Sequence, residues 1–163
     1  MEHNNLRRVL EEFGRDFVNL VQDKIIEADG IATGNMLNTL DFDVVQENGH
    51  LTVYLLHTDY FQYYDKGSSP HFPPREPIMR WIQDKPVYPT ADDNGRLPTV
   101  EQLAFLIARK ISEDGTEGRD VFETAKAQLI PMYEEKIAEA VRDDFVEEYL
   151  NGGNINDWNL LKI

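Results

Sequence analysis

The chain has 163 residues, 41% hydrophobic and 10% aromatic, which supports one folded domain with a real core and excludes an intrinsically disordered chain. Lys and Arg number 16 against 30 Asp and Glu, a formal net charge of -14, which argues against gripping a nucleic-acid backbone or an anionic membrane, since both need clustered cations. Cysteine is absent, so disulfides, thiolate zinc sites, iron–sulfur ligation and a cysteine nucleophile are excluded.

Leu6, Val9, Leu10, Phe13, Phe17, Leu20, Val21 and Ala28 recur at three- and four-residue steps, which predicts a long amphipathic N-terminal helix closed by Gly30. The opening MEHNNLRRVLEEFG lacks the apolar core of a signal peptide, so synthesis in the cytosol is expected. Thr33 to Leu40 reads as a capped single turn. Two extended runs, Phe42 to Glu47 and Leu51 to Leu56, meet across Asn48-Gly49, a strong hairpin signal. Both faces of the second run are fairly apolar, so helices are expected on one side and a neighbour on the other.

Tyr60-Phe61-Gln62-Tyr63-Tyr64 is dense in aromatics and stops at a turn by composition, Asp65 to Pro70. Pro77 suits the first turn of a short helix carrying Ile78, Trp81 and Ile82, which ends by Pro86. The stretch from Pro86 to Pro98 is too rich in breakers for regular structure. Residues 60–98 thus form an excursion that carries aromatics, and the expected source of its order is contact with another subunit. Thr99 and Gln102 have capping-box spacing at the head of a helix that Gly115 ends. Phe105 and Leu106 widen its apolar stripe, implying deep burial or a partner.

From Arg119 to Leu150 one helical pattern runs on, with Pro131 expected to kink or split it. Beyond Pro131, Glu134, Glu135, Glu139, Asp143, Asp144, Glu147 and Glu148 make an acidic face. Residues 1–153 are therefore read as a single α+β domain: a long N-terminal helix, a small antiparallel hairpin against helices, the excursion, and a long kinked C-terminal helix. Residues 154–163, with Trp158, Leu160 and Leu161, form an apolar tail that is expected to dock on its own domain or a partner.

Candidate chemistry is sparse. His3, His50, His57 and His71 show no metal-binding spacing. His57-Thr58-Asp59 pairs an imidazole with a carboxylate but reads better as a strand-end turn. Ser68, Ser69 and His71 lack the glycines of a nucleophile elbow. Asp92-Asp93-Asn94-Gly95 lacks the alternating ligands of a calcium loop, and no phosphate-binding glycine loop is present. Tyr60, Phe61, Tyr63, Tyr64 and Trp81 have no basic groove beside them for base stacking.

Several phrases carry a family resemblance. Thr33-Gly34-Asn35-Met36-Leu37-Asn38-Thr39-Leu40, the Y-x-x-Y-x-x-x-G-S segment from Tyr60 to Ser68, the Pro77 to Trp81 helix and the Ala104 to Thr116 phrase resemble the tail-completion, or neck, proteins and minor tail components of tailed bacteriophages. The likeness spans Leu6 to Tyr149, and the segments 86–98 and after Gly152 are longer than the family pattern. It implies a non-enzymatic virion protein, made in the host cytoplasm, that closes into a homo-oligomeric ring at the head–tail junction or tail. The implied partners are other copies and neighbouring neck, portal-adaptor or tail-tube proteins, with double-stranded DNA passing unbound; no cofactor, metal, membrane or small-molecule substrate is implied. Ring closure needs heterologous contacts, and the expected contact residues are Tyr60, Tyr63, Tyr64, Phe72 and Trp81 in the excursion and Trp158, Leu160 and Leu161 in the tail. An acidic chain suits a channel that must not hold phosphates. Two other classes fit the composition: an acidic DNA mimic that binds a basic partner through Glu134 to Glu148, and a hydrolase built on His57 with Asp59, or on His71.

Overall fold

The computed structural model describes residues 4–28, 34–84, 87–91 and 93–152. Their order is α1 (Asn4–Glu27), α2 (Asn35–Asn38), β1 (Asp41–Glu47), β2 (His50–Leu56), α3 (Asp59–Lys66), β3 (Gly67–Ser68), α4 (Arg75–Asp84), α5 (Val100–Asp114), β4 (Thr116–Glu117) and α6 (Val121–Gly152). The class is α+β, with long helices at both ends and one small hairpin sheet. Contacts divide the chain into two compact units.

The first unit comprises 1–21, 41–56 and 123–163. Its hairpin pairs β1 with β2 in the register Asp41↔Leu56 to Glu47↔His50. Asn48 and Gly49 both sit at positive φ, 50° and 82°, which is what a two-residue turn matched to strand twist requires. Phe17, Val18, Val21, Val44, Ala125, Leu129, Tyr133 and Ala140 form its buried set. Gly14 is buried in the middle of α1, where glycine costs about 1 kcal/mol of helix propensity. The reason is packing: a Cβ there would overlap the Phe42 ring of β1. Helix α6 runs unbroken through Pro131, so the lost amide does not split it.

The second unit comprises 22–40 and 57–122. Ile25, Met36, Leu40, Phe61, Ala104, Ala108 and Val121 are its buried apolar residues. Helix α4 packs on α5. The capping box at the head of α5 is closed in both directions, Thr99 accepting from the Gln102 amide and Gln102 from the Thr99 amide. Gly115, at φ 75°, ends α5 with its N–H on the Ile111 carbonyl. A two-residue antiparallel ladder pairs β3 with β4, Gly67 opposite Glu117 and Ser68 opposite Thr116. Gly67 (φ 74°) and Gly118 let the two backbones close, since a Cβ on either would run into main-chain atoms of the facing segment.

Candidate interaction surface

The aromatic run is a helix. Thr58 precedes α3 in extended geometry, Asp59 lies in its first turn and Lys66 in its last, which suits the helix dipole, and Gly67 closes it with its N–H on the Tyr63 carbonyl. One side turns Phe61 and Asp65, both 3% exposed, into the unit. Tyr60 and Tyr63 point outward, at 59% and 53% exposure. Tyr64 departs from the expectation of a contact residue. It is half-buried, and its carbonyl accepts the Arg119 amide. Its place in α3, one residue before buried Asp65, commits it to the fold.

The Asp65 carboxylate accepts the Phe122 amide at 2.9 Å, in the first turn of α6, while its carbonyl accepts the Asp120 amide. Lys66 lies 3.3 Å from Asp65 and 3.4 Å from Asp120. Burial opposes the charge on Lys66, and these two carboxylates outweigh it and hold the ammonium above its ordinary pKa. The exposed tyrosines therefore stand on a helix pinned at its C-terminal end.

Phe72 is exposed and tilted against Phe105 of α5, ring centroids 6.2 Å apart. Trp81 projects from α4, at the margin of exposure. Phe105, Leu106, Tyr88 and Leu97 in the same unit are also exposed. They were not singled out as contact residues from the sequence, although the broad apolar stripe of α5 was the signal for two of them. The wide stripe is explained by exposure, not by depth.

On the first unit, Glu134, Glu135, Glu139, Asp143, Glu147 and Glu148 are exposed along α6. Glu135, Glu139, Asp143 and Glu147 recur every fourth residue and form one ridge about 18 Å long. Asp144 is a correction: it is 3% exposed and turned inward. Its carboxylate accepts the Asn5 amide at 2.8 Å and the Leu6 amide at 2.9 Å, so it caps the N-terminus of α1 across 139 residues of sequence. The first turn of α1 holds no acidic residue of its own. Position along α6 explains the difference, because Asp144 lies four residues beyond buried Ala140.

A second polar link joins α1 to α6. Tyr133, 3% exposed, donates its hydroxyl to Asp16 at 2.6 Å, and Lys136 lies 2.7 Å from Glu12 and 4.8 Å above the Tyr133 ring. Burial and then the Asp16 carboxylate push the Tyr133 phenol well above its usual range. The hydrogen bond from Lys136 holds Glu12 below the usual carboxylate value. Phe13 meets Tyr133 edge-on at 5.3 Å and stacks on Phe17 at 5.7 Å.

His57 and His71 each make local contacts. His57 Nδ1 lies 2.9 Å from the Thr58 carbonyl and its ring rests on Phe61; His71 Nδ1 lies 2.9 Å from the Ser69 carbonyl. Among the described residues, no group of three His, Asp or Glu side chains is arranged to hold a metal ion. An open cleft of about 450 Å³ is lined by Ile107, Lys110 and Ile111 of α5 and by 115–119. Lys110 in its wall pairs with Asp114, whose carboxylate raises the Lys110 pKa. Trp158, Leu160 and Leu161 lie outside the described residues. No described helix is long and apolar enough to cross a membrane.

No protein-family model, curated protein or solved structure matches the chain.

Proposed function

We propose that this chain is a structural subunit of a closed homo-oligomeric ring in a phage virion, at the head–tail junction or in the tail. The observation that carries the reading is the display of large aromatics in the second unit: Tyr60 and Tyr63 on α3, which its closing Gly67 and the β3–β4 ladder hold in place, Phe72 beside Phe105, and Trp81 on α4, which packs on α5. Exposed aromatics on rigid elements are what protein interfaces are built around, because they bury much area at little entropic cost. Tyr60, Tyr63 and Trp81 also fall in the segments, Tyr60 to Ser68 and Pro77 to Trp81, through which the sequence resembles neck proteins. In this role the unit would contact the adjacent copy heterologously, and neighbouring neck, portal-adaptor or tail-tube proteins above and below. Double-stranded DNA would pass without being held, since a net charge of -14 repels phosphate. The role calls for no cofactor or substrate.

The test is assembly. A Tyr63→Ser, Trp81→Ser double variant is expected to keep its circular dichroism and lose the oligomer, alone or with neck partners. Normal oligomers from a folded double variant would overturn the reading.

The α6 ridge favours one other reading, an acidic mimic of nucleic acid that occupies a basic protein. That reading requires a discrete small species and loss of partner binding in a Glu135→Gln, Glu139→Gln, Asp143→Asn variant.

A further inference from the structure

Helix α6 of the first unit carries a stripe with the spacing of a coiled-coil seam. Ala127, Pro131, Glu134, Ala138, Val141 and Phe145 follow one another at alternating steps of four and three residues, and all six are exposed. Tyr149 prolongs the stripe at 57% exposure, its ring 4.3 Å from that of Phe145. At about 100° per residue, the stripe lies roughly 140° around the helix from the acidic ridge and equally far from the side that buries Leu129, Tyr133, Ala140 and Asp144. One side of α6 thus faces its own unit, one is acidic, and the third is largely apolar and open to water over about 33 Å.

Size and charge along the stripe choose the occupant. Its first part offers the smaller Ala127, Pro131 and Ala138, and its second part the larger Val141, Phe145 and Tyr149. Glu134 stands four residues before Ala138, and Arg142 stands four residues after it at the edge of the stripe. A second copy of α6 laid antiparallel, Ala138 on Ala138, therefore sets Pro131 beside the second copy's Phe145 and Ala127 beside its Tyr149. The same register brings Glu134 to the second copy's Arg142, and symmetry makes that ion pair twice. A parallel copy would instead set Glu134 on Glu134 and Arg142 on Arg142, which like charge disfavours. Antiparallel helix dipoles act in the same direction. Arg142 is open to a new carboxylate: its side chain is 69% exposed and reaches Asp143 at 3.3 Å across the surface, a weak pair in water. The acidic ridge, on another side of the helix, does not enter the contact.

We infer that α6 pairs with α6 of a second copy, antiparallel about a two-fold axis at Ala138, with Glu134 and Arg142 setting direction and register. The contact is isologous. It goes beyond the heterologous ring contacts proposed for the second unit and depends on none of them. A seam one helix wide lies at the low end of specific interfaces, so pairing at about 10 to 100 μM is expected.

Sedimentation equilibrium of the full chain in the Tyr63→Ser, Trp81→Ser background reads this pair apart from the ring contacts. Between about 1 and 200 μM the mass is expected to rise from one toward two 18.9 kDa subunits. Glu134→Arg and Arg142→Glu each place like charges across the seam and are expected to weaken pairing about tenfold or more, and the two together to restore it. Both positions are exposed, and unchanged circular dichroism shows that the variants are folded. The chain has no cysteine, so Ala138→Cys adds a single thiol, which the two-fold axis sets against its counterpart. Oxidised glutathione is expected to link two copies through it severalfold faster than through Glu139→Cys on the ridge. A monomer throughout the range, a dimer indifferent to the charge reversals, or equal linking at the two positions would overturn the inference. A pair in this background with no ring in the unsubstituted chain would contradict the ring reading alone.

Discussion

Asp144→Ala removes the acceptor for the Asn5 and Leu6 amides, which lie in the first turn of α1 and have no intrahelical carbonyl to use. Loss of a helix cap costs about 1 to 2 kcal/mol, and hydrogen bonds to a charged acceptor lie at about 1.5 to 3. With a residue only 3% exposed, water cannot simply replace the carboxylate. The expected loss is therefore about 2 to 3 kcal/mol. At a urea slope of roughly 2 kcal/mol per molar, the midpoint falls by about 1 M. Asp143→Ala is the matched control one residue away: Asp143 is exposed and meets only Arg142, at 3.3 Å, and its loss is expected to cost under about 0.5 kcal/mol. Native-state hydrogen exchange should then show faster exchange at Asn5 and Leu6 in the Asp144 variant alone. Equal urea midpoints for the two variants would refute the cap and return Asp144 to the solvated face.

Gly14→Ala gains about 1 kcal/mol of helix propensity but collides with Phe42, so a net loss of about 1 kcal/mol or more is expected, and in a Phe42→Ala background the same change should stabilise; denaturation of the four proteins reads the coupling. Gly67→Ala meets both a positive φ of 74° and the Thr116 carbonyl, and a loss of about 2 to 4 kcal/mol is expected from thermal unfolding. Glu12 titrates below its unfolded value because Lys136 hydrogen-bonds its carboxylate, so the stability from this pair is present above the ordinary carboxylate pKa and lost as pH falls through the folded value. Glu12→Gln should therefore flatten the acid limb of the stability curve, measured by urea midpoints from pH 7 to pH 3, and leave any alkaline limb unchanged.

Signals carried within a few residues were legible. Asn48-Gly49 specified the hairpin and its register, Thr99 and Gln102 the head of α5, and Gly115 its end, because each is decided by neighbouring backbone geometry. What escaped was decided at a distance. The aromatic run of α3 is eight residues long, too short for periodicity to speak, and its helix depends on burial of Phe61 and on the β3–β4 ladder, whose strands lie 48 residues apart. Asp144 looks like one carboxylate in a string of acids and Asp65 like a turn residue, yet each carboxylate accepts backbone N–H donation at the start of a helix that comes from elsewhere in the chain. Gly14 was silent for the same reason, its cause being the ring of Phe42. Of the proposed contact residues, Tyr60 and Tyr63 face out because α3 turns Phe61 and Asp65 in, and the intermediate burial of Tyr64 follows from that same turn.

The most direct test of the ring proposal is the mass of the purified full chain, alone and mixed with candidate neck proteins, by size exclusion with light scattering. A closed oligomer of several 18.9 kDa subunits is expected, formed alone or on addition of a partner, and it is lost in the Tyr63→Ser, Trp81→Ser variant. A monomer under every condition, or one that instead binds a basic nucleic-acid-binding protein through the α6 ridge, would contradict it.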